Sequence, residues 1–177
     1  MISDLTQTWT QFQEVLKRFG NAYSLLNPPC APSSLSKFDD RFPIQLPEPL
    51  KTLLAINNGQ EVAGEGQKNG IFKSVSGWDV YERHVFLPIE GIETAYKVFV
   101  QDTVLLAEFG RSEIPFAVAG TPSQYSEAFC IDAATGAVSL LWTAYRDPFN
   151  PPEWQVERFK RADSLASFIE KQIELYR

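Results

Sequence analysis

Three closely spaced apolar runs leave a chain of this length few folds. They are Ile114-Pro115-Phe116-Ala117-Val118-Ala119, Ala128-Phe129-Cys130-Ile131-Asp132 and Ala137-Val138-Ser139-Leu140-Leu141-Trp142, the last two joined by the turn Ala133-Ala134-Thr135-Gly136. Short runs rich in β-branched and aromatic residues, bounded by turn residues, read as strands. Apolar residues fill the pair around the turn instead of alternating, which places it mid-sheet with both faces covered.

Helices open and close the chain. Leu5, Trp9, Phe12, Leu16 and Phe19 form one helical stripe, Asp4 with Gln7 is placed to cap it, and Gly20 suits a left-handed stop. Asn27–Ser34 reads as a loop because of its prolines. A short helix follows over Leu46–Ile56, with prolines in its first turn, and ends at Asn57-Asn58-Gly59. Residues 60–79 read as hairpin or loop with weak alternation around Ile71-Phe72-Lys73. Val85–Pro88 reads as a strand feeding a third helix, which carries Ile92, Tyr96, Phe99 and Val100 on one face. Asp147–Pro152 is a proline-rich loop. The last helix is capped by Asp163 or Ser164 and buries Leu165, Phe168, Ile169, Ile173 and Tyr176. The expected core includes Leu53, Leu54, Phe116, Phe129, Ile131, Val138, Phe168 and Ile169. The fold class is α+β in a single domain over 1–177, a length that supports a core without disulfide or metal.

Charge and composition narrow the location and the partners. The chain holds 22 acids and 16 bases, a net charge of −6. Residues 57–113 hold nine acids and five bases, so they carry −4 of it. An acidic surface repels nucleic acid and attracts basic proteins, though it also serves plain solubility. No apolar stretch reaches the ~20 residues of a membrane-spanning helix, and Met1-Ile2-Ser3-Asp4 has no basic segment of a signal peptide. The two cysteines, Cys30 and Cys130, are expected to be reduced, and the expected location is the cytoplasm.

Catalytic chemistry finds little support. His84 is the sole histidine, so any histidine-based scheme runs through it, with Asp79 or Glu82 to orient it and Cys130 as nucleophile. Cys130 lies inside an apolar run, where a small buried side chain is the usual role, and His84 is expected at the surface or hydrogen-bonded. One histidine, two distant cysteines and scattered carboxylates give no zinc spacing. Asp39-Asp40 reads as a helix cap or loop feature. Gly64-Glu65-Gly66 lacks the Gly-Lys-Ser or Gly-Lys-Thr of a phosphate loop. Arg158-Phe159-Lys160-Arg161, flanked by Glu157 and Asp163, reads as a solvated helix entrance. The expectation is no enzyme, no cofactor and no metal.

Several motifs, in order, resemble the SUKH superfamily, α+β domains related to a yeast cell-wall regulator and best known as bacterial immunity proteins. They are Leu46-Pro47 before a helix closed by Asn57-Asn58-Gly59, then Leu87-Pro88-Ile89-Glu90-Gly91-Ile92. Ile114-Pro115-Phe116-Ala117 follows, with Phe129–Asp132, Gly136-Ala137-Val138 and Trp142, and Ala162–Phe168 closes the set. The resemblance is strongest over 46–170. Tyr125-Ser126-Glu127 departs from the family's Gly followed by Asp or Asn, and Tyr145–Trp154 is long for it. The resemblance implies a mainly antiparallel or mixed sheet with N-terminal helices and a C-terminal helix packed against it. It also implies a function in binding another protein. That protein is a cognate toxin, plausibly a basic nuclease, or, in the alternative, the partner of a regulatory scaffold domain with no toxin. The surface expected to bind it combines Glu61, Glu65, Asp79, Glu82 and Glu93 with Trp78 and Tyr81, since aromatics with a charged rim suit an interface. Nucleic acid and membrane are not expected as partners.

Overall fold

The computed structural model describes residues 2–20, 22–42, 44–61, 70–75, 81–101, 112–121, 124–145 and 154–177. Among them six strands form one sheet in chain order, each pair antiparallel: β1 (Phe72–Val75), β2 (Tyr81–Phe86), β3 (Glu113–Thr121), β4 (Gln124–Asp132), β5 (Val138–Tyr145) and β6 (Trp154–Ala162). Helices α1 (Ile2–Leu16), α2 (Pro32–Arg41) and α3 (Glu48–Ile56) precede the sheet. Helix α4 (Ile89–Gln101) comes between β2 and β3, and α5 (Leu165–Leu175) ends the fold. The expected α+β class and the mainly antiparallel sheet are what the structure has. No described helix is long and apolar enough to cross a membrane.

The core is a set of rings gathered between α1, α5 and one face of the sheet. Phe72 stands at its centre, with the rings of Trp9, Phe12, Phe86, Phe116, Phe129 and Phe168 at 5.3–6.5 Å. Most of these pairs are edge-to-face, the arrangement aromatic quadrupoles favour, while Phe12 stacks on Phe72. All eight residues expected in the core are buried. On β4 both faces are covered, since Phe129 and Ile131 alternate with the equally buried Ala128 and Cys130. That accounts for the unbroken apolar run. Pro115, in an interior strand, sits where the β3–β4 register shifts, at a bulge, where a missing N–H breaks no ladder.

The Asn57-Asn58-Gly59 signature works as a clasp. The Asn57 side chain accepts from Trp9 Nε1 at 3.0 Å and Gln13 Nε2 at 2.7 Å, joining α3 to α1. Asn58 Oδ1 accepts from the Ile89 N–H at 2.9 Å, at the start of α4. Gly59 has φ +68°, and a Cβ there would come within 2.2 Å of Pro88 N. Only glycine permits both the conformation and the approach. Buried Gln60 finishes the clasp, its Oε1 accepting from Ile71 N and Phe86 N. The two most recognisable motifs, Asn57–Gly59 and Leu87-Pro88, are thus held against each other.

Several expectations need correction. Helix α1 begins at Ile2, so Asp4 lies within its first turn and is not its cap, and the helix stops at Leu16, leaving Phe19 46% exposed. Gly20 does take the left-handed conformation, at φ +68°. The loop expected over Asn27–Ser34 ends early, because Pro32 starts α2 as its first-turn proline. Few apolar residues mark that helix, but Phe38 packs on Phe42, and Phe42 on Tyr96 of α4. Asp39 of the Asp39-Asp40 pair lies inside α2, where it pairs with Lys51 and accepts from the Leu46 N–H. Arg158–Arg161 belongs to β6, not to a helix entrance; its long charged side chains suit an edge strand as well as a helix. The final helix is capped by Ser164 in a reciprocal capping box with Ser167. The Asp147–Pro152 loop lies outside the described residues.

Candidate functional site

The face of the sheet that α1 and α5 pack against is covered unevenly. Register aligns Phe86, Ala117, Phe129, Leu140 and Phe159 in one row across five strands. The first four are buried, and Phe159 at the β6 end is 42% exposed. The neighbouring row runs Ala119, Glu127, Trp142, Glu157, and its Trp142 is 38% exposed. The helices therefore cover the β1 side, and two large rings remain open toward β6.

Within this face lies a buried polar cluster. His84 is fully buried, its ring 4.5 Å from that of Phe129, and its Nε2 stands 3.1 Å from Glu127 Oε2. That approach is off the line of the ring N–H, so neither ring nitrogen has a well-aligned hydrogen-bond partner among the described residues. Ser74 Oγ donates to the same Glu127 oxygen at 3.2 Å. Burial pushes the Glu127 carboxyl up, but His84 and Ser74, with the more distant charge of Arg161, more than offset it, leaving it below its ordinary value. The carboxylate stands between hydroxyl and imidazole. A serine nucleophile needs the opposite order, with the imidazole against the hydroxyl and the acid behind it.

Between β1 and α5 lies a groove of about 410 Å³, lined by Lys73, Ser74, Arg161, Phe168, Lys171 and Glu174 among others. Its cations are already engaged. Lys73 Nζ donates to the Leu175 carbonyl at 3.0 Å and lies 3.7 Å over the Tyr176 ring, and Lys171 donates to the Arg161 carbonyl. Burial, helped by Arg83, lowers the Lys73 pKa.

The residues expected to act do not converge. His84 is neither at the surface nor beside Cys130. It shares a face with Glu127 and Phe129, and the pleat turns Cys130 to the other face. Burial, with Glu113 adding and Arg158 opposing, pushes the Cys130 thiol well up, and burial with Glu90 raises Cys30, so neither favours the reactive thiolate. Glu61 is exposed and anchored by its N–H to the Leu25 carbonyl at 2.8 Å. Glu93, on α4, is held by Lys97 at 2.9 Å and by Arg41, which keep its carboxyl below its ordinary value. Its charge is largely spent within the fold. Tyr81 and Glu82 lie on β2, in register with Val75 and Ser74. Glu65, Trp78 and Asp79 lie outside the described residues. Among the described residues no group of His, Cys, Asp and Glu could hold a metal ion.

Sequence reasoning missed Trp142 and Phe159 as exposed rings and Glu127 as the partner of His84. A single aromatic between Arg158 and Lys160 was the available signal for the first, and an isolated acid at the head of the apolar β4 run for the second.

Comparison with known proteins adds one positive finding. The family model described as SMI1 / KNR4 family (SUKH-1) matches residues 29–171. None of the curated proteins compared matches the chain.

Proposed function

We propose, from the premise that the chain belongs to the SMI1 / KNR4 (SUKH-1) family, that it is an immunity protein which neutralises a cognate toxin by binding it directly. The family match over 29–171 carries this reading, because it makes the chain a protein-interaction domain. Charge supports a basic partner such as a nuclease. The −4 of residues 57–113 lies in the stretch that includes exposed Glu61 and Glu90, where acidic groups speed encounter with a basic protein. The protein acts as a stoichiometric cover in the cytoplasm and performs no chemistry of its own. That agrees with the raised thiol pKa values and the order Ser74–Glu127–His84.

The test is survival. Where a toxic C-terminal domain is encoded beside this gene, it is expressed alone and together with the chain. Growth restored only in the presence of the chain, with a stable 1:1 complex on gel filtration, supports the reading. Killing unaffected by the chain, or a genomic neighbourhood without such a domain, overturns it in favour of a regulatory scaffold.

A further inference from the structure

The ends of α1 and α5 enclose a second groove, of about 650 Å³. Its floor is apolar, formed by half-buried Val15 of α1 with the buried Ile173 and Tyr176. Tyr176 is fixed there, its ring 5.8 Å from that of Phe12 and 5.4 Å from that of Phe19, with its hydroxyl on the Ile71 carbonyl. Phe19 stands at the rim, the most exposed large apolar side chain among the described residues. Arg18 and Arg177, one just beyond each helix, also line the groove, and both are exposed.

We propose that this groove binds an acidic peptide segment of a partner protein, with an apolar side chain on the floor and carboxylates on the two arginines. Charge carries the argument. Among the described residues neither the Arg18 nor the Arg177 guanidinium has an ion pair, a hydrogen bond or a ring contact, whereas Arg41 is held by Glu93 and Arg158 by Glu113. In a chain of net charge −6, two arginines are thus left at one groove with their planar forks free for a carboxylate from outside. Glu14, which also lines the groove, is neutralised by Lys17. The two helix ends contribute roughly half a negative charge each, which favours arginines at this place. Two full positive charges outweigh them.

A peptide fits this groove better than nucleic acid does. The floor takes an apolar side chain, Phe19 offers a ring to pack on it, and rings beside arginines are what anchoring patches on protein interfaces use. The net charge of −6 repels a long phosphate chain, while the few carboxylates of a short segment stay within reach of the arginines. The inference goes beyond the toxin reading and does not rest on it, since these arginines repel a basic toxin.

Titration of the full chain, followed by amide NMR shifts, reads the binding. The probe is a capped hexapeptide with Leu-Phe between two pairs of glutamates. Saturable shifts confined to residues 14–19 and 173–177 are expected, with an affinity that falls as salt rises. The double variant R18E/R177E reverses both charges and should weaken binding about tenfold or more. Phe19→Ala removes an anchor and should weaken it about tenfold. All three side chains are exposed, so the fold withstands these changes. A peptide with lysines in place of the glutamates should bind R18E/R177E and not the natural chain. No saturable shifts at about 1 mM peptide, equal binding of a peptide with glutamines, shifts centred elsewhere, or an affinity unmoved by R18E/R177E overturns the proposal. So does tighter binding of a thymidine hexanucleotide than of the peptide.

Discussion

The two edge strands of the sheet meet their surroundings on different terms. On β1 the outward backbone is occupied by side chains. Gln172 of α5 accepts from the Lys73 N–H at 2.7 Å and donates to the Lys73 carbonyl at 3.0 Å, doing what a neighbouring strand would do. The Tyr176 hydroxyl donates to the Ile71 carbonyl at 2.8 Å, and Gln60 accepts from the Ile71 N–H. At β6 the side chains around the edge pair among themselves, Arg158 with Glu113 and Lys160 with Asp163, and leave Phe159 exposed. One edge is sealed by the C-terminal helix; at the other, among the described residues, paired charged side chains flank the strand. The two exposed rings Trp142 and Phe159 lie toward the β6 side.

The comparison can be broken most forcefully at its sealed end. Phe72→Ala removes the ring at the centre of the core and should destabilise the fold by roughly 3–5 kcal/mol, read from the denaturation midpoint. A loss below about 1 kcal/mol would mean that β1 is not seated under α1 and α5. Gln172→Ala comes next. It removes the two Gln172 bonds to the Lys73 backbone in a part-buried setting, where a lost buried partner costs about 1–3 kcal/mol. A loss of about 1 kcal/mol or more is expected from chemical denaturation, with the Lys73 amide newly open to exchange.

A smaller effect concerns acid. Because the Glu127 carboxyl is held below its ordinary value, the folded chain takes up that proton less readily than the unfolded one. The stability this confers is present above the ordinary value of 4.5 and is lost as pH falls through the lower folded value. Glu127→Gln should flatten the decline of stability across that acid range. An unchanged pH profile would mean that the carboxylate does not face His84. The smallest effect belongs to the open edge. Phe159→Ser should change the stability of the dilute protein by no more than about 0.5 kcal/mol, since an exposed ring supports little of the monomer. A larger loss would show β6 to be packed after all.

Much of the scaffold was legible in the sequence, for physical reasons that also explain the gaps. The stripes of α1 and α5 and the filled runs of β3, β4 and β5 follow from burial, which writes a period into sequence. The clasp at Asn57–Gly59 was legible as punctuation but not as a contact, because its reason lies 29 residues away at Pro88. Helix α2 escaped because serines and charges outnumber its few apolar positions, and β6 because an edge strand needs no apolar alternation. The hub role of Phe72 was hidden in a polar stretch, since a four-residue strand is too short to show periodicity. Of the candidate surface, Glu61 proved exposed, but Glu93 proved to be spent on Arg41 and Lys97. The His84–Glu127 contact joins β2 to β4 across β3, a proximity that only the folded sheet creates.

Amide hydrogen exchange on the dilute protein tests the contrast between the edges most directly. The account predicts that the Lys73 amide is protected nearly as well as the core of β4, and that Gln172→Ala abolishes this protection. Outward amides of β6 around Phe159 should exchange orders of magnitude faster. A Lys73 amide that exchanges freely, or β6 amides as slow as those of β4 in dilute solution, would contradict it.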